Sequence, residues 1–547
     1  AQSLDRGLRQ TAAAAFQRVL THPLSGAAAR EAARRGLESA LAEVGTSLPP
    51  STRQLQSSSV ENSSPDSRPE IAKLVPFRGE PLWELSTAVD DETSNAIADA
   101  LHEHTQQSIP ILLRSRPVIA GDSVLIRSPG RVQRLDPETG TVHWEHASST
   151  SASSVGTRIT TNLSMQNLMA RNLAKELQID TVTSTFRVHG QSVVYVETAP
   201  PDGAQSTRPG GVPIRLRAVG PFNSRVVVPG RNRIAHCDLE TGQTSWVFSG
   251  NGFFSDNVLK EKPQETDSVY FLGPPELVDD LFWGLAQVGP EIRLYALRKN
   301  GELDWQTTIC ETDRQLQNDV DWRLLACPVV PVGGVLLCPT ATGLVVAFDL
   351  VTRTPLWAQR YPREDLFELS GRLMKGQGGS ATRHWWRCWR ELAVAPVETG
   401  SAQQAILASP DQLGLSLLDL RTGEEVWHRR LDEPLTLVAA TSRHVVVTEQ
   451  RSLLAFDLKS GEPAWRTEVP AISGRGYVTA AETQSPESPS EGSRYYVFPT
   501  QDRRLNAVRL SDGQLTRTST TDSRPAGNLV RVGNVVLEQT AEKITAW

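Results

Sequence analysis

The chain has 547 residues, of which 39% are hydrophobic and 22% charged, and its formal net charge at pH 7 is −6. This composition is typical of a soluble globular protein. It lacks the basic excess of a nucleic-acid-binding surface, and no apolar run has the length of a membrane-spanning helix. We therefore expect neither nucleic acid as a partner nor a transmembrane segment. The initial alanine indicates a processed N-terminus or an excised piece of a longer chain.

The N-terminal part differs in pattern from the remainder. Residues 1–45 predict a pair of helices, because apolar residues such as Leu4 and Leu8 recur at helical spacing. The pair either packs on the rest of the chain or belongs to a helical arm that binds partners. Residues 46–75 are rich in Ser and Pro and predict a flexible linker.

A short phrase recurs through residues 76–547. It combines alternating β-forming residues, a turn, and a tryptophan four residues after a glycine. The copies are VQRLDPETGTVHW (132–144), IAHCDLETGQTSW (234–246), LYALRKNGELDW (294–305), VVAFDLVTRTPLW (345–357), LSLLDLRTGEEVW (415–427) and LLAFDLKSGEPAW (453–465). The aspartate of most copies can cap the turn and the glycine can take a positive φ, so each copy predicts a β-hairpin.

Two copies depart from the pattern. Arg353 replaces the glycine of one copy, and in LNAVRLSDGQLTR (505–517) Arg517 stands where the tryptophan belongs. A further hairpin precedes the phrase, as in PVIAGDSVLIRSPG (117–130), and two hairpins make one propeller blade. The long gap between Trp144 and Trp246 either holds a degenerate extra blade or is one blade with an insertion. We favour the insertion, because the gap contains no second Gly-x-x-x-Trp.

The two ends of the chain complement each other. KITAW (543–547) resembles the strand before a turn, and GEPLW (79–83) carries the Gly-x-x-x-Trp that would follow it. Pairing the two would close a ring and remove an exposed sheet edge. The sequence therefore predicts an all-β fold, an eight-bladed β-propeller of four-stranded blades closed by the N-terminal strand, with a short N-terminal helical segment.

Insertions into the propeller are expected near 147–190 and 360–392. The first contains an amphipathic helix (164–178) that either caps the propeller or docks a partner. The second contains RHWWRCWREL (383–392), whose residue types dominate binding hot spots. The candidate partner-binding residues are Arg383, Trp385, Trp386, Arg387 and Trp389. The alternative is that the tryptophans are buried between blades and the arginines are solvated.

The five cysteines form no C-x-x-C pair, which argues against a metal finger or a thioredoxin-like motif. Cys327 and Cys338 are equidistant from a hairpin turn predicted between Val332 and Gly333. Directly opposed residues have Cα atoms about 4.5–5.5 Å apart, a separation that a disulfide accepts. The two cysteines are therefore either a disulfide or two small buried hydrophobic residues.

The phrase Ala-x-Asp-x-x-Thr-Gly-x-x-x-Trp resembles the tryptophan-docking repeat of the pyrroloquinoline-quinone (PQQ) type propellers. That superfamily includes eight-bladed quinoprotein alcohol dehydrogenases and non-enzymatic relatives such as the lipoprotein of the bacterial outer-membrane barrel-assembly machinery. The resemblance implies stacking between neighbouring blades by Ala347, Trp357, Ala455 and Trp465, with Gly461 at a turn. The dehydrogenases also carry two adjacent cysteines, calcium ligands and an aspartate base, and this chain has no Cys-Cys pair.

The sequence thus favours a non-catalytic PQQ-like propeller that binds proteins or acts as a scaffold in the bacterial cell envelope or periplasm, without a cofactor. The alternative is a dehydrogenase that uses PQQ and calcium at an atypical site. An outer-membrane assembly factor is a third possibility, which would require a lipidated N-terminal cysteine. Motifs of serine hydrolases, zinc proteases and EF-hands are absent from the sequence, and His102 with His104 is more typical of an exposed polar segment than of a metal site.

Overall fold

The computed structural model describes residues 80–106, 113–147, 177, 180–198, 217–218, 225–226, 232–250, 252–253, 269–313, 322, 324–332, 334–361, 393–399, 402–408, 414–431, 436–449, 451–479, 494–502, 504–517 and 527–547. The predicted helical pair (1–45), the predicted linker (46–75) and most of both predicted insertions lie outside these ranges.

Eight antiparallel sheets within these ranges form the blades of a propeller, numbered here along the chain. Blades 1 and 2 consist of β2 (Val118–Ala120), β3 (Ser123–Ser128), β4 (Arg131–Leu135) and β5 (Val142–Ala147), and of β6 (Phe186–His189), β7 (Ser192–Thr198), β10 (Asn232–Asp238) and β11 (Thr244–Phe248). Blades 3 and 4 consist of β12 (Val269–Phe271), β13 (Glu276–Val278), β14 (Leu281–Val288), β15 (Glu291–Arg298) and β16 (Leu303–Glu311), and of β17 (Val330–Val332), β18 (Val335–Pro339), β19 (Leu344–Asp349) and β20 (Pro355–Arg360).

Blades 5 and 6 consist of β21 (Ala393–Thr399), β22 (Ala402–Ala408), β23 (Gly414–Asp419) and β24 (Glu425–Arg430), and of β25 (Thr436–Ala440), β26 (His444–Thr448), β27 (Ser452–Asp457) and β28 (Pro463–Glu468). Blades 7 and 8 consist of β29 (Tyr477–Val478), β30 (Tyr495–Pro499), β31 (Leu505–Arg509) and β32 (Leu515–Arg517), and of β33 (Asn528–Val532), β34 (Val535–Gln539), β35 (Lys543–Ala546) and β1 (Trp83–Ser86). The predicted eight-bladed fold is confirmed. Blade 3 has a fifth strand because β12 and β13 both pair with β14.

The last blade is built from both ends of the chain, as the sequence predicts. Strand β1 pairs antiparallel with β35, and Trp83 lies opposite Ala546. The hydroxyl of Thr87 donates to the carbonyl of Ala541 at 2.5 Å, which extends the contact beyond the strands. This pairing closes the ring, so that β35 has no open edge.

Tryptophan side chains join one blade to the next. A Cβ built on the turn glycine would lie 2.5–2.7 Å from the tryptophan ring of the preceding blade at Gly140 (Trp83), Gly242 (Trp144), Gly301 (Trp246), Gly423 (Trp357), Gly461 (Trp427) and Gly513 (Trp465). Indole Nε1 donates to a carbonyl of the next blade in the pairs Trp83–Pro137, Trp144–Leu239, Trp246–Lys299, Trp357–Leu420 and Trp427–Leu458, at 2.7–3.1 Å. The predicted stacking between blades is therefore present, and each turn must bring its backbone close to an aromatic ring.

The turns that receive these rings are capped as predicted. In blade 6, for example, Oδ1 of Asp457 accepts hydrogen bonds from the backbone N–H groups of Lys459 and Ser460. These bonds favour the carboxylate and hold the pKa of Asp457 below its usual range. Equivalent side-chain-to-backbone bonds are made by Asp136, Asp238, Asp349 and Asp419.

The second strand of each blade carries most of the core. Strands β3, β26 and β34 are buried at every position, because each blade is covered on both faces by its neighbours. A strand that is covered on both faces has no solvent side, and its sequence becomes a continuous apolar run rather than an alternating one. The runs VLI in β3 and VVV in β26 are of this kind.

The long gap between Trp144 and Trp246 belongs to a single blade. Strands β7 and β10 pair directly, with Val196 opposite Ile234, although more than thirty residues separate them in sequence. The intervening segment includes a short hairpin of β8 (Arg217–Ala218) and β9 (Arg225–Val226). The preference for one blade with an insertion is therefore confirmed.

A helix, α1 (Asp91–Gln106), follows β1 and was not predicted. Asp90 caps its first turn, since Oδ1 of Asp90 accepts from the backbone N–H of Thr93 at 2.7 Å. Ile97 and Ala100 are buried on its inner face, against a cluster that includes Ala541 of blade 8. Among the described residues, no helix has both the length and the apolar character required to cross a bilayer.

Candidate functional site

The first strands of neighbouring blades face the central channel of the propeller. Contacts between β13 and β17, β21 and β25, and β29 and β33 bring these strands together around the axis. Several of their residues are only half-buried, for example throughout β25 and in most of β33. The channel is therefore the place where side chains from several blades converge.

A cavity of about 450 Å³ opens in this channel between blades 1, 6, 7 and 8. Three of the described residues that line it are arginines. Arg116 precedes the first strand of blade 1, Arg475 precedes that of blade 7, and Arg531 lies in that of blade 8. We call this the arginine cavity. Two tyrosines and the apolar side chains of the first strands complete its wall, and Asp and Glu are absent from its described lining.

The two tyrosines of the arginine cavity are neutral phenols. Burial raises the pKa of Tyr496. The hydrogen bond from the backbone N–H of Gly476, followed by the positive charges of Arg475 and Arg116, opposes this shift only in part. Burial likewise raises the pKa of Tyr477, opposed by Arg531. The three arginines and the two tyrosines line the same cavity, so they form one polar group at the channel.

A buried asparagine holds the arginine-bearing segments in place. Oδ1 of Asn528 accepts from the backbone N–H of Arg475 at 2.9 Å. Its Nδ2 donates to the carbonyls of Leu113 and Ser115, at 2.7 and 2.8 Å. One side chain thus ties blade 8 to the segments that lead into blades 7 and 1, immediately beside Arg475 and Arg116.

A second polar group faces the channel between blades 2 and 3. Nε of Arg187 lies 2.8 Å from Oε2 of Glu276, and Nε2 of His189 lies 3.6 Å from Oε1 of the same carboxylate. Burial, with the charge of Arg187, lowers the pKa of His189. Nε2 of His189 accepts from the backbone N–H of Leu277, which requires a neutral nitrogen. Burial raises the pKa of Glu276 while Arg187 opposes the shift. These contacts suit a structural ion pair that joins two blades.

Most of the residues singled out from the sequence lie outside the part of the chain that the structure describes. The tryptophan–arginine cluster, comprising Arg383, Trp385, Trp386, Arg387 and Trp389, lies outside the described residues. The amphipathic helix at 164–178 also lies outside them except for Leu177, which is buried beside α1. His102 is exposed on α1.

The predicted register of the cysteine hairpin is wrong by one residue. Val332 pairs with Val335, so the centre of the hairpin falls after Gly333 rather than before it, and the two cysteines do not face each other. Sγ of Cys327 lies 3.5 Å from the carbonyl oxygen of Thr340 instead. Both cysteines are buried thiols, and burial raises the pKa of Cys338.

Sequence reasoning missed the arginine cavity because its residues lie in no common motif. Arg116 and Arg531 come from opposite ends of the propeller and become neighbours only when the ring closes. The usable signal was positional, since each of the three arginines precedes or occupies the first strand of a blade.

The grouping of metal-binding side chains bears on the dehydrogenase alternative. Calcium takes six to eight oxygen ligands. Within the ranges that the structure describes, no three His, Cys, Asp or Glu side chains are grouped so that they could hold a metal ion. The adjacent cysteines of the dehydrogenases are missing from the whole sequence.

The comparisons with known proteins agree with the repeat. The chain matches the family described as "Outer membrane protein assembly factor BamB" over residues 87–248 and 341–542. A comparison with curated protein sequences gives no match. Among solved structures, BamB from Moraxella catarrhalis is 15% identical with a TM-score of 0.43, over 80% of this chain and 97% of that one.

Two dehydrogenase structures are similar to the same degree. The europium-containing methanol dehydrogenase is 11% identical with a TM-score of 0.42, over 86% of this chain and 85% of that one. The quinohemoprotein alcohol dehydrogenase from Comamonas testosteroni is 10% identical with a TM-score of 0.44, over 80% of this chain and 74% of that one. Because the family match extends over more than half of its residues, the chain belongs to the PQQ-like propeller family described as outer membrane protein assembly factor BamB.

Proposed function

We propose that this chain is a non-catalytic propeller that binds proteins, or holds them as a scaffold, in the bacterial cell envelope or periplasm, and that it uses no cofactor. The observation that carries this proposal is the match of residues 87–248 and 341–542 to a family described by an outer membrane assembly factor. A scaffold requires a rigid surface rather than reacting groups, and fold alone does not dictate chemistry.

The contacts between blades support a rigid frame. Trp427, for example, is 8% exposed, lies against the turn of blade 6 and donates from Nε1 to the carbonyl of Leu458 at 2.9 Å. Related contacts recur around the ring, and the pairing of β1 with β35 closes it. Loops on such a frame can present partner-binding residues in a fixed geometry.

We propose that the partner contact includes the tryptophan–arginine cluster. Its members are Arg383, Trp385, Trp386, Arg387 and Trp389. Tryptophan and arginine are the side chains that most often supply the large energetic contributions in protein interfaces. The cluster lies in the chain between blades 4 and 5, where an insertion can extend without disturbing either sheet.

The experiment compares cross-linked partners in a bacterial envelope fraction. The native chain is compared with a Trp385→Ala/Trp386→Ala/Trp389→Ala variant, and partners are quantified by mass spectrometry after cross-linking in cells. A matched control truncates exposed apolar side chains on the outer strands of blades 1, 2 and 5, as Val142→Ala/Val247→Ala/Val426→Ala. We expect specific partners to be lost only from the tryptophan variant. Equal recovery from all three proteins would overturn the assignment of the cluster.

The dehydrogenase alternative is tested directly. Purified chain is mixed with PQQ and calcium, and we expect no dye reduction with alcohols or sugars. Quinone binding together with substrate-dependent dye reduction would contradict the non-catalytic role.

A further inference from the structure

We propose that the arginine cavity binds a small organic anion that joins a carboxylate to an apolar body. The inference is independent of the proposed scaffold role, because it concerns only the channel between blades 1, 6, 7 and 8. Its volume of about 450 Å³ lies within the range of roughly 300–1,000 Å³ that is usual for small-molecule sites.

Charge determines the class of ligand. Arg116, Arg475 and Arg531 all line the cavity, and its described lining contains no carboxylate. Guanidinium groups stay protonated in proteins, so the described lining carries three positively charged side chains in a chain whose formal net charge is −6. A concave site with apolar walls focuses such a field and attracts anions.

Donor geometry favours a carboxylate head group. A guanidinium presents five N–H donors in a planar fork that can bind a carboxylate through two parallel hydrogen bonds. Nε of Arg531 donates to the carbonyl of Gly533 at 3.0 Å, which uses one of its five donors. The side chain of Arg531 also lines the cavity. The hydroxyl of Tyr496 accepts from the backbone N–H of Gly476 at 2.9 Å, so its ring is fixed at the wall.

The remaining wall favours an apolar body. Side chains from the first strands of all four blades contribute to it, among them Val118, Leu437, Val478 and Val530. A simple inorganic anion would leave these groups against water, whereas an aromatic or aliphatic carboxylate would bury them and add hydrophobic stabilisation. The site is therefore suited to an amphipathic acid rather than to free phosphate or sulfate.

The cavity is also held in shape before any ligand arrives. Asn528 is 1% exposed and fixes the backbone beside Arg475 and Arg116 through three hydrogen bonds. The backbone N–H of Leu529 donates to the carbonyl of Arg475 at 2.8 Å, which binds blades 7 and 8 together at the same point. A ligand that enters such a site does not have to order the wall, so more of its interaction energy appears as affinity.

The test measures binding of two matched probes to the full chain by calorimetry. The probes are 2-naphthoate and its neutral counterpart 2-naphthamide, which differ mainly in charge. We expect one naphthoate per chain. It should bind at least about tenfold more tightly than the amide, because one charge-assisted hydrogen bond contributes that much affinity. Raising the salt concentration should weaken the binding of naphthoate more than that of the amide.

Four variants assign the binding to the cavity. Arg475→Gln and Arg531→Gln should each weaken naphthoate binding at least about tenfold and leave the amide nearly unchanged. Arg421→Gln is the matched control, because this exposed arginine lies in a turn of blade 5. Val438→Phe should weaken both probes by filling the cavity. Near-ultraviolet circular dichroism confirms that each variant is folded.

Three results would overturn the proposal. The first is equal affinity for the two probes, the second is unchanged naphthoate binding in both arginine variants, and the third is no binding at millimolar probe. If Arg475→Gln proves unfolded, Arg531→Gln alone decides, because Arg531 is only half-buried near the end of its strand.

Discussion

Two interfaces, between blades 5 and 6 and between blades 3 and 4, pack a turn of one blade against a tryptophan of the blade before it. They use different side chains at the turn. In the first, Trp427 lies against the turn at Gly461, whose φ is +68°. In the second, the same turn position holds Arg353 with a φ of +56°, and its guanidinium carbon lies 6.0 Å from the ring centroid of Trp305. The backbone of the turn is kept, while the contact across the interface has changed.

The comparison shows what the glycine of the repeat is for. A left-handed conformation costs a residue with a Cβ roughly 1–2 kcal/mol, so the backbone at Arg353 is strained. It gains a cation–π contact with Trp305 and an ion pair in which Nη1 lies 2.8 Å from Oδ2 of Asp304. The repeat therefore tolerates the loss of its glycine where a charged side chain supplies another attraction.

Replacing the tryptophan at each of the two interfaces should have the largest effects on stability. Trp427 is 8% exposed, so Trp427→Ala should lower the free energy of unfolding by about 3–5 kcal/mol, from lost burial and a cavity. Trp305 is only half-buried, and Trp305→Ala should cost less. Urea unfolding followed by far-ultraviolet circular dichroism measures both. Equal losses would mean that the arginine interface is packed as tightly as the glycine interface.

A methyl group added at the turn should have the next largest effect. A Cβ at Gly461 would lie 2.6 Å from Cδ2 of Trp427. Gly461→Ala should therefore cost about 1–2 kcal/mol in backbone strain and about 1–3 kcal/mol more in displaced packing. Gly533→Ala is the matched control, because Gly533 has a φ of +58° and nothing within 4 Å of the added carbon. Equal losses in the two variants would show that ring contact does not contribute.

Arg353→Gly should change the stability of the chain little. The substitution removes the cation–π contact, worth about 0.5–1 kcal/mol at exposed sites, and an ion pair worth roughly 0–1 kcal/mol. It also relieves the left-handed strain of about 1–2 kcal/mol. The net change in the free energy of unfolding should stay within about 1 kcal/mol, well below that of Gly461→Ala. A larger loss would mean that Arg353 holds the two blades together.

The repeat explains why so much of the fold could be predicted. Each phrase encodes a hairpin, its cap and its docking residue within thirteen positions, so residues close together in the sequence determine the contacts between blades. The pairing of β1 with β35 was predictable for the same reason, because the missing half of the last phrase stands near Trp83. Arg353 was recognised as an exception, but its partner Asp304 was not, since that contact crosses between blades.

The elements that sequence reasoning missed depend on contacts between distant segments or on weak local signals. Helix α1 has few apolar residues, and the signal available was the cap formed by Asp90 and Thr93. The cysteine register followed from a wrong hairpin centre, although a Gly-Gly pair between Val332 and Val335 is a typical two-residue turn. The arginine cavity exists only after the ring closes, so no local pattern could reveal it.

The smallest expected effect is the pH dependence of the ion pair between Asp304 and Arg353, which exists only at the interface between blades 3 and 4. Hydrogen bonds from Arg353, and then from Arg298, hold the pKa of Asp304 below its usual range. A carboxyl group with a lowered pKa stabilises the fold above its unfolded pKa of about 3.9. That contribution is lost as the pH falls through the folded value. Asp304→Asn should therefore lower the free energy of unfolding at pH 7 by less than about 1 kcal/mol. The difference from the native chain should begin to shrink near the unfolded pKa of about 3.9 and vanish only below the folded pKa, which is lower.

A double-mutant cycle ties this effect to the interface between blades 3 and 4. In an Arg353→Gly background, Asp304→Asn should cost less than in the native chain, because the contact between the blades is already gone. A residual effect is expected, since Nε of Arg298 also lies 2.9 Å from Oδ1 of Asp304 within blade 3. The measurement is the urea midpoint of all four proteins at a series of pH values from 7 down to about 2. If Asp304→Asn costs the same in both backgrounds, the ion pair with Arg353 does not offset the strain at its turn, and the cation–π contact must do so alone.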